Sequence, residues 1–184
     1  DTGLSSYLVL RRLFFSSTVN TLLEFNNAET VGDLPREVEN ELREMSRGLD
    51  PVNQVSLFEL RTYLANMLLR DCDSMSMAHG LEVRVPLLDH KLVEFVSQIP
   101  GRLKLNSRLP KPLLIEAMGN RLPKPIYDRP KAGFTFPWEY WMRNQLRSQI
   151  DDTLKDRENT ERIGLNFDSC NALWDGFLAG ESEY

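Results

Sequence analysis

Between Asp73 and His90 the sequence DSMSMAHGLEVRVPLLDH changes from helical to extended texture and back, and this switch orders the chain on either side of it. The Met-rich DSMSMAH is helix-compatible and runs into Gly80. LEVRVP then sets Leu81, Val83 and Val85 against Glu82 and Arg84, a period of two that predicts an extended segment with one buried face. Pro86 ends it. Glu82 and Arg84 fall on the same polar side, an acid and a base placed either as a structural ion pair or as charges aimed at a neighbour.

The flanking sequence reads as helices. Leu4 to Phe15 carries a broad apolar face, and Ser16, Ser17 and Thr18 can cap a second helix through Leu22, Leu23 and Phe25 before Asn26 and Asn27 break it. Thr30 to Pro35 is turn-like. PREVENELREMSRG follows, with Pro35 suited to a first helical position and Gly48 to a stop. Ser56 and Glu59 form a capping-box signature ahead of Leu57, Leu60, Leu64 and Leu68 at helical spacing. Met67, Met75 and Met77 suit adaptable core filling. Beyond the extended piece, Asp89 can cap a helix through Phe95 and Val96 that ends before Pro100 and Gly101. A loop leads to Lys111, PKPLLIEAM is a short helix, and Leu122 to Tyr127 is irregular. DRPKAGFTFPWEYW is irregular too, yet dense in charge and aromatics. Trp138 to Leu154 and Phe167 to Leu178 read as helices joined by the polar run KDRENTE. The expectation is one mainly α-helical domain over residues 1–184, its helices around a single core.

Charge and cysteine usage narrow the function. The net charge of −5 offers no long basic surface for a phosphate backbone, which argues against nucleic acid as partner. Two cysteines, Cys72 and Cys170, lack CxxC spacing, and with two histidines there is no metal pattern; a reducing, cytoplasmic setting fits. His79 has no acidic or thiol partner at a readable spacing, and no Ser, His and Asp arrangement stands out. No apolar run approaches the roughly 18 residues needed to span a bilayer, so neither a membrane nor a membrane partner is expected. The ten glycines form neither GxGxxG nor GxxxxGK, so this chain does not hold a nucleotide in the familiar ways. Opening on Asp1 without an initiator Met and ending on ESEY, the sequence reads as a segment of something longer.

The best candidate for chemistry is Lys131 in DRPKAGF. Pro130 stiffens the chain on one side and Gly133 permits close backbone approach on the other, so the ammonium is presented where negative charge can meet it. A lone loop lysine is ordinarily a solvated surface charge.

YLANMLLRDCDSMSMAHGLEVRVPLLDHKLVEFV followed by LPKPIYDRPKAGFTFPWEYW resembles the C-terminal part of glutamine-dependent asparagine synthetases, from Tyr63 to Trp141. Those enzymes join a glutaminase domain to a synthetase domain whose SGGxDS loop, on a parallel sheet, binds pyrophosphate. Neither is in this sequence. The resemblance therefore implies a helical fragment of an α/β adenine-nucleotide α-hydrolase-like (PP-loop) synthetase domain without its parallel sheet. It also implies a full-length ligase that uses ATP and Mg2+ to adenylate a carboxylate, aspartate in the family, and transfers ammonia from glutamine to it. The fragment alone would be inactive and hold no cofactor, and its small-molecule substrates would be met through the missing N-terminal part.

Lys131 matches the family's RxKxGF lysine, which the resemblance casts as the stabiliser of anionic species near the adenylate. Arg129 and Lys111 match basic positions, and Asp73, Glu82 and Arg84 join them as a substrate network. Asp71 and Ser74 stand where members commonly carry basic residues, and Asn66 where they carry Asp. These departures raise the alternative of another carboxylate, such as a uronic acid. A second alternative is a non-enzymatic helical interaction module descended from the family; homo-oligomerisation is open in either case.

Overall fold

The computed structural model describes residues 2–24, 34–105, 109–130, 133 and 135–181. Of these, 71% are helical and none lies in a strand; an isolated antiparallel bridge between Leu23 and Leu165 is the nearest approach to a sheet. The helices sort into two compact units, residues 1–10 with 35–131 and residues 11–34 with 132–184, where the sequence reading treated them together.

The first unit is built on a long continuous helix. Asp50 begins it: its carboxylate accepts from the amides of Val52 at 3.0 Å and Asn53 at 3.2 Å, and Pro51 occupies the first helical position, where a missing N–H costs nothing. The helix runs as α-helix over Pro51–Glu59, widens to a π-helical stretch over Leu60–Leu68, and returns to α over Leu69–Met77. Ser56 is thus not a cap but lies in mid-helix, its hydroxyl donating to the Val52 carbonyl at 2.9 Å. The Asp-Pro pair supplies both a cap and a preset φ one turn earlier, so it wins.

Phe58, fully buried, faces the N-terminal helix Thr2–Arg11, where its ring meets that of Tyr7 at 5.4 Å. The Tyr7 and Thr62 hydroxyls share a hydrogen bond of 2.9 Å, and Thr62 donates to the Phe58 carbonyl at 2.6 Å. Leu4 and Leu42, the latter from the amphipathic helix Arg36–Met45, complete this core. Pro35 sits just before the first helical residue and makes no side-chain cap, and Gly48 closes the turn that follows the helix with φ 74°.

The long helix ends at Gly80, whose φ of 67° allows Leu81 N–H to reach back to the Ser76 carbonyl at 2.9 Å. Residues 81–85 follow without regular structure. The expected buried face is absent: Leu81 is 61%, Val83 51% and Val85 43% exposed. A strand needs a ladder partner to have an inner face, and none of the described residues supplies one. Met67, Met75 and Met77 are likewise exposed, not core filling. A 3₁₀ turn over Pro86–Leu88 leads to helix His90–Ser97, capped as expected by Asp89, which accepts from Lys91 and Leu92. The stretch to Lys111 contains a one-turn helix, Gly101–Lys104. Its first amide donates 2.9 Å to Asp50, tying it to the start of the long helix. Pro112–Met118 buries Pro112 and Ile115, and Lys124–Tyr127 forms a single helical turn where irregular chain was expected.

In the second unit the predicted helix Trp138 to Leu154 is two, Trp138–Arg143 and Arg147–Lys155. Asn144 breaks it, with φ −125° and ψ −87°, and its side-chain amide donates to the Tyr140 carbonyl at 2.7 Å. The polar run KDRENTE is no bare link. Asp156 caps Arg157–Arg162, and Arg157 pairs with Glu161 at 2.8 Å and Asp168 at 2.9 Å while lying over the Phe167 ring. Phe167–Ala179 is the helix expected, buried through Cys170 and Trp174, whose indole donates to Asp151 at 2.7 Å. Ser16–Leu22 joins this unit without a side-chain cap; it begins at Ser16 itself, so Ser16, Ser17 and Thr18 lie in its first turn. Phe25, Asn26 and Asn27, and Thr30 to Asp33, lie outside the described residues.

Candidate functional site

The candidate residues that the structure describes all belong to the first unit, and they differ in how firmly the backbone holds them. Lys111 is held most firmly. At φ 53° and ψ 55° it is the one described non-glycine residue in the left-handed region, a conformation costing about 1–2 kcal/mol for a side chain-bearing residue. Pro112 bars it from the ordinary helical region, and the Lys111 carbonyl accepts from Leu114 at 3.1 Å and Ile115 at 3.2 Å, opening a helix anchored by buried Pro112 and Ile115. The strained backbone thus sits on a rigid base while the ammonium stem is exposed. Such outliers concentrate at functional positions. The flanking prolines in LPKPLL were the only trace of this in the sequence.

Glu82 and Arg84 do meet. Arg84 Nε and Nη2 lie 3.0 and 2.9 Å from Glu82 Oε1, with both side chains largely in solvent, so the pair cancels its own charge and contributes little to stability. Asp73 lies exposed on Leu69–Met77, its carbonyl accepting from the Ser76 hydroxyl; Asp71 and Ser74 are exposed on the same helix. Arg129 is exposed at a bend. Among the described residues no hydrogen bond or ion pair joins Lys111, Arg129 and Asp73 to one another. Lys131 lies outside the described residues. His79 is exposed in the turn after the long helix.

The perturbed titrating groups lie elsewhere and are structural. The Gly101 amide, with those of Asn53 and Val52, holds the Asp50 carboxyl below its ordinary value of 3.8. Burial pushes the Cys170 thiol up. Cys170 borders an apolar cavity of about 350 Å3 in the second unit, lined also by Met142, Ile150, Leu154, Leu173 and Trp174, with no charged side chain among its walls to anchor a polar substrate. No three His, Cys, Asp or Glu side chains converge to hold a metal among the described residues, and none of the helices there is long and apolar enough to cross a membrane.

The family model for asparagine synthase matches the chain from residue 4 to residue 184. This chain belongs to the asparagine synthase family. Asparagine synthetase [glutamine-hydrolyzing] 3 of Bacillus subtilis (strain 168) is 34% identical over 157 residues, covering 77% of this chain and 24% of that protein. Asparagine synthetase [glutamine-hydrolyzing] 1 of the same organism is 27% identical over 122 residues, 66% of this chain and 19% of its own length. Amidase chry2 of Gibberella zeae is 29% identical over 122 residues, 62% of this chain and 18% of that protein. The asparagine synthase match thus spans nearly the whole chain, while the chain spans only about a fifth to a quarter of these relatives. No solved structure matches it significantly.

Proposed function

We propose that this chain is the C-terminal helical portion of an ATP-dependent, glutamine-dependent amidotransferase that activates a carboxylate as its adenylate and converts it to an amide with ammonia. The observation that carries this reading is the asparagine synthase match across residues 4–184, together with relatives named as glutamine-hydrolysing synthetases. Adenylation expels pyrophosphate and leaves an acyl phosphate anion, so a preorganised cation beside the reacting centre lowers the barrier. Lys131 is the residue we assign to that task, with Lys111 and Arg129 as exposed cations able to face phosphate oxygens. The carboxylates of Asp73 and Glu82, with Arg84, would orient the polar end of the substrate.

Cations of this kind suit phosphate oxygens. Among the described residues no three His, Cys, Asp or Glu side chains converge, and no step is assigned to Mg2+. The fragment alone supplies cations without a nucleotide loop, and on that ground we assign it no turnover by itself.

Aspartate is the first substrate to test. A different carboxylate is the second reading, favoured by Asp71 and Ser74 on the exposed helix and by a relative named as an amidase. Pyrophosphate release by a family-length protein carrying this sequence, measured over a panel of amino and sugar acids with glutamine or ammonia, decides between them. Turnover with aspartate alone ends the second reading; no acid-dependent pyrophosphate ends both.

A further inference from the structure

The Asp50 carboxylate makes bonds that a helix cap does not require. Its Oδ1 accepts from the amides of Val52 and Asn53, which is the whole of capping, and an asparagine there would cap as well. Its Oδ2 is engaged elsewhere, accepting from Gly101 N–H at 2.9 Å and Asn53 Nδ2 at 2.8 Å. Asn53 in turn donates to the Ile99 carbonyl at 3.1 Å and accepts from Lys104 Nζ. The chain is thus clipped at Ile99, Gly101 and Lys104 to the first turn of the long helix.

What the clip holds leads to Lys111. Gly101–Lys104 packs against both Pro51–Glu59 and Pro112–Met118. Helices shorter than about 12 residues are marginal in water on their own, and Pro112–Met118 has 7, so its place is set by what it packs on. Gly101–Lys104 is shorter still and is fixed by the clip. Lys111 stands immediately before Pro112–Met118, in a left-handed conformation that persists only where the surroundings over-determine it. We infer that Asp50 and Asn53 are positioning residues: through Gly101–Lys104 and Pro112–Met118 they fix the backbone of Lys111, and so the place at which its ammonium meets the phosphate of an acyl adenylate. The inference rests on the proposed function, which sets Lys111 against phosphate oxygens.

Asp50→Asn cuts the clip and spares the cap, since the amide keeps one acceptor oxygen for Val52 and Asn53 and turns a donor toward Gly101 N–H. Lys104→Met cuts it from the other side. In the 184-residue chain the amides of Leu114 and Ile115, which donate to the Lys111 carbonyl, report on that backbone by hydrogen exchange. Either variant should speed their exchange by about tenfold and leave Ser46 N–H, bonded to the Leu42 carbonyl in the core, unchanged. In a family-length protein carrying this sequence, Asp50→Asn should lower kcat for acid-dependent pyrophosphate release by about tenfold to a hundredfold with the KM of the acid unchanged, the pattern of a group misplaced for the transition state alone. Added to Lys111→Ala it should cost no more than about twofold further, because the group it positions is gone. Four results overturn the inference: exchange at Leu114 and Ile115 unchanged in both variants, Ser46 speeding with them, a change in KM alone, or the full loss persisting beside Lys111→Ala. A parent without acid-dependent turnover counts against the proposed function and takes the catalytic part of this inference with it, while exchange at Leu114 and Ile115 decides separately whether the clip holds Lys111.

Discussion

Gly101→Ala tests whether the clip between Asp50 and Gly101 organises the first unit. A Cβ at Gly101 would sit 2.0 Å from Asp50 Oδ1 and 2.6 Å from Val52 Cβ, both far inside van der Waals contact. The carboxylate cannot simply swing aside. It accepts from Gly101 N–H at 2.9 Å and Asn53 Nδ2 at 2.8 Å as well as from the two capping amides, and Asn53 in turn bonds the Ile99 carbonyl and Lys104. Two effects of opposite sign compete. Gly101 does not have positive φ, so alanine should gain about 0.4–1 kcal/mol by restricting the unfolded chain. Overpacking a fixed neighbour costs about 1–3 kcal/mol, and the upper end applies where three contacts fall below 3 Å. A net loss of about 2 kcal/mol follows, or a Tm lower by roughly 4–8 °C in a chain of this size. Thermal and urea unfolding followed by circular dichroism measure it. In an Asp50→Ala background the same change should cost less, because the carboxylate it strikes is gone and only the Val52 Cβ contact remains. Gly101→Ala melting at or above the parent, or costing as much in both backgrounds, refutes the reasoning.

Asp50 is held below its ordinary value, so its contribution to stability is present above the unfolded value of 3.8 and fades as pH falls through the lowered folded one. Unfolding midpoints taken from about pH 5 to pH 2 should therefore fall less steeply in Asp50→Asn than in the parent. Cys170, buried with its thiol pushed up, should react with a disulfide reagent about tenfold or more slowly than half-buried Cys72 in the folded chain, as mass spectrometry of timed samples would read. In a family-length protein Lys131→Ala should lower the adenylation or amide-forming rate by roughly a hundred to a thousandfold with the fold intact. Lys131→Arg should rescue poorly, since a planar fork does not replace a compact point charge; near-normal turnover in the alanine variant would return Lys131 to the surface.

The sequence alone determined the elements whose signals are local. Asp89 needed only its own carboxylate and the two amides that follow to cap His90–Ser97, and the run from Phe167 to Leu178 read as the helix that the structure forms over Phe167–Ala179. The motifs running from Tyr63 to Trp141 were enough for the family. Tertiary structure decided whatever depended on a partner distant in sequence. Residues 81–85 alternate as a strand should, yet burial is a property of two surfaces, and the described residues offer them no second one. Asp50 has the local chemistry of an ordinary cap, but Gly101, 51 residues on, donates to the same carboxylate. Nor does composition reveal the left-handed turn at Lys111, because that strain persists only where buried Pro112 and Ile115 hold the backbone against it.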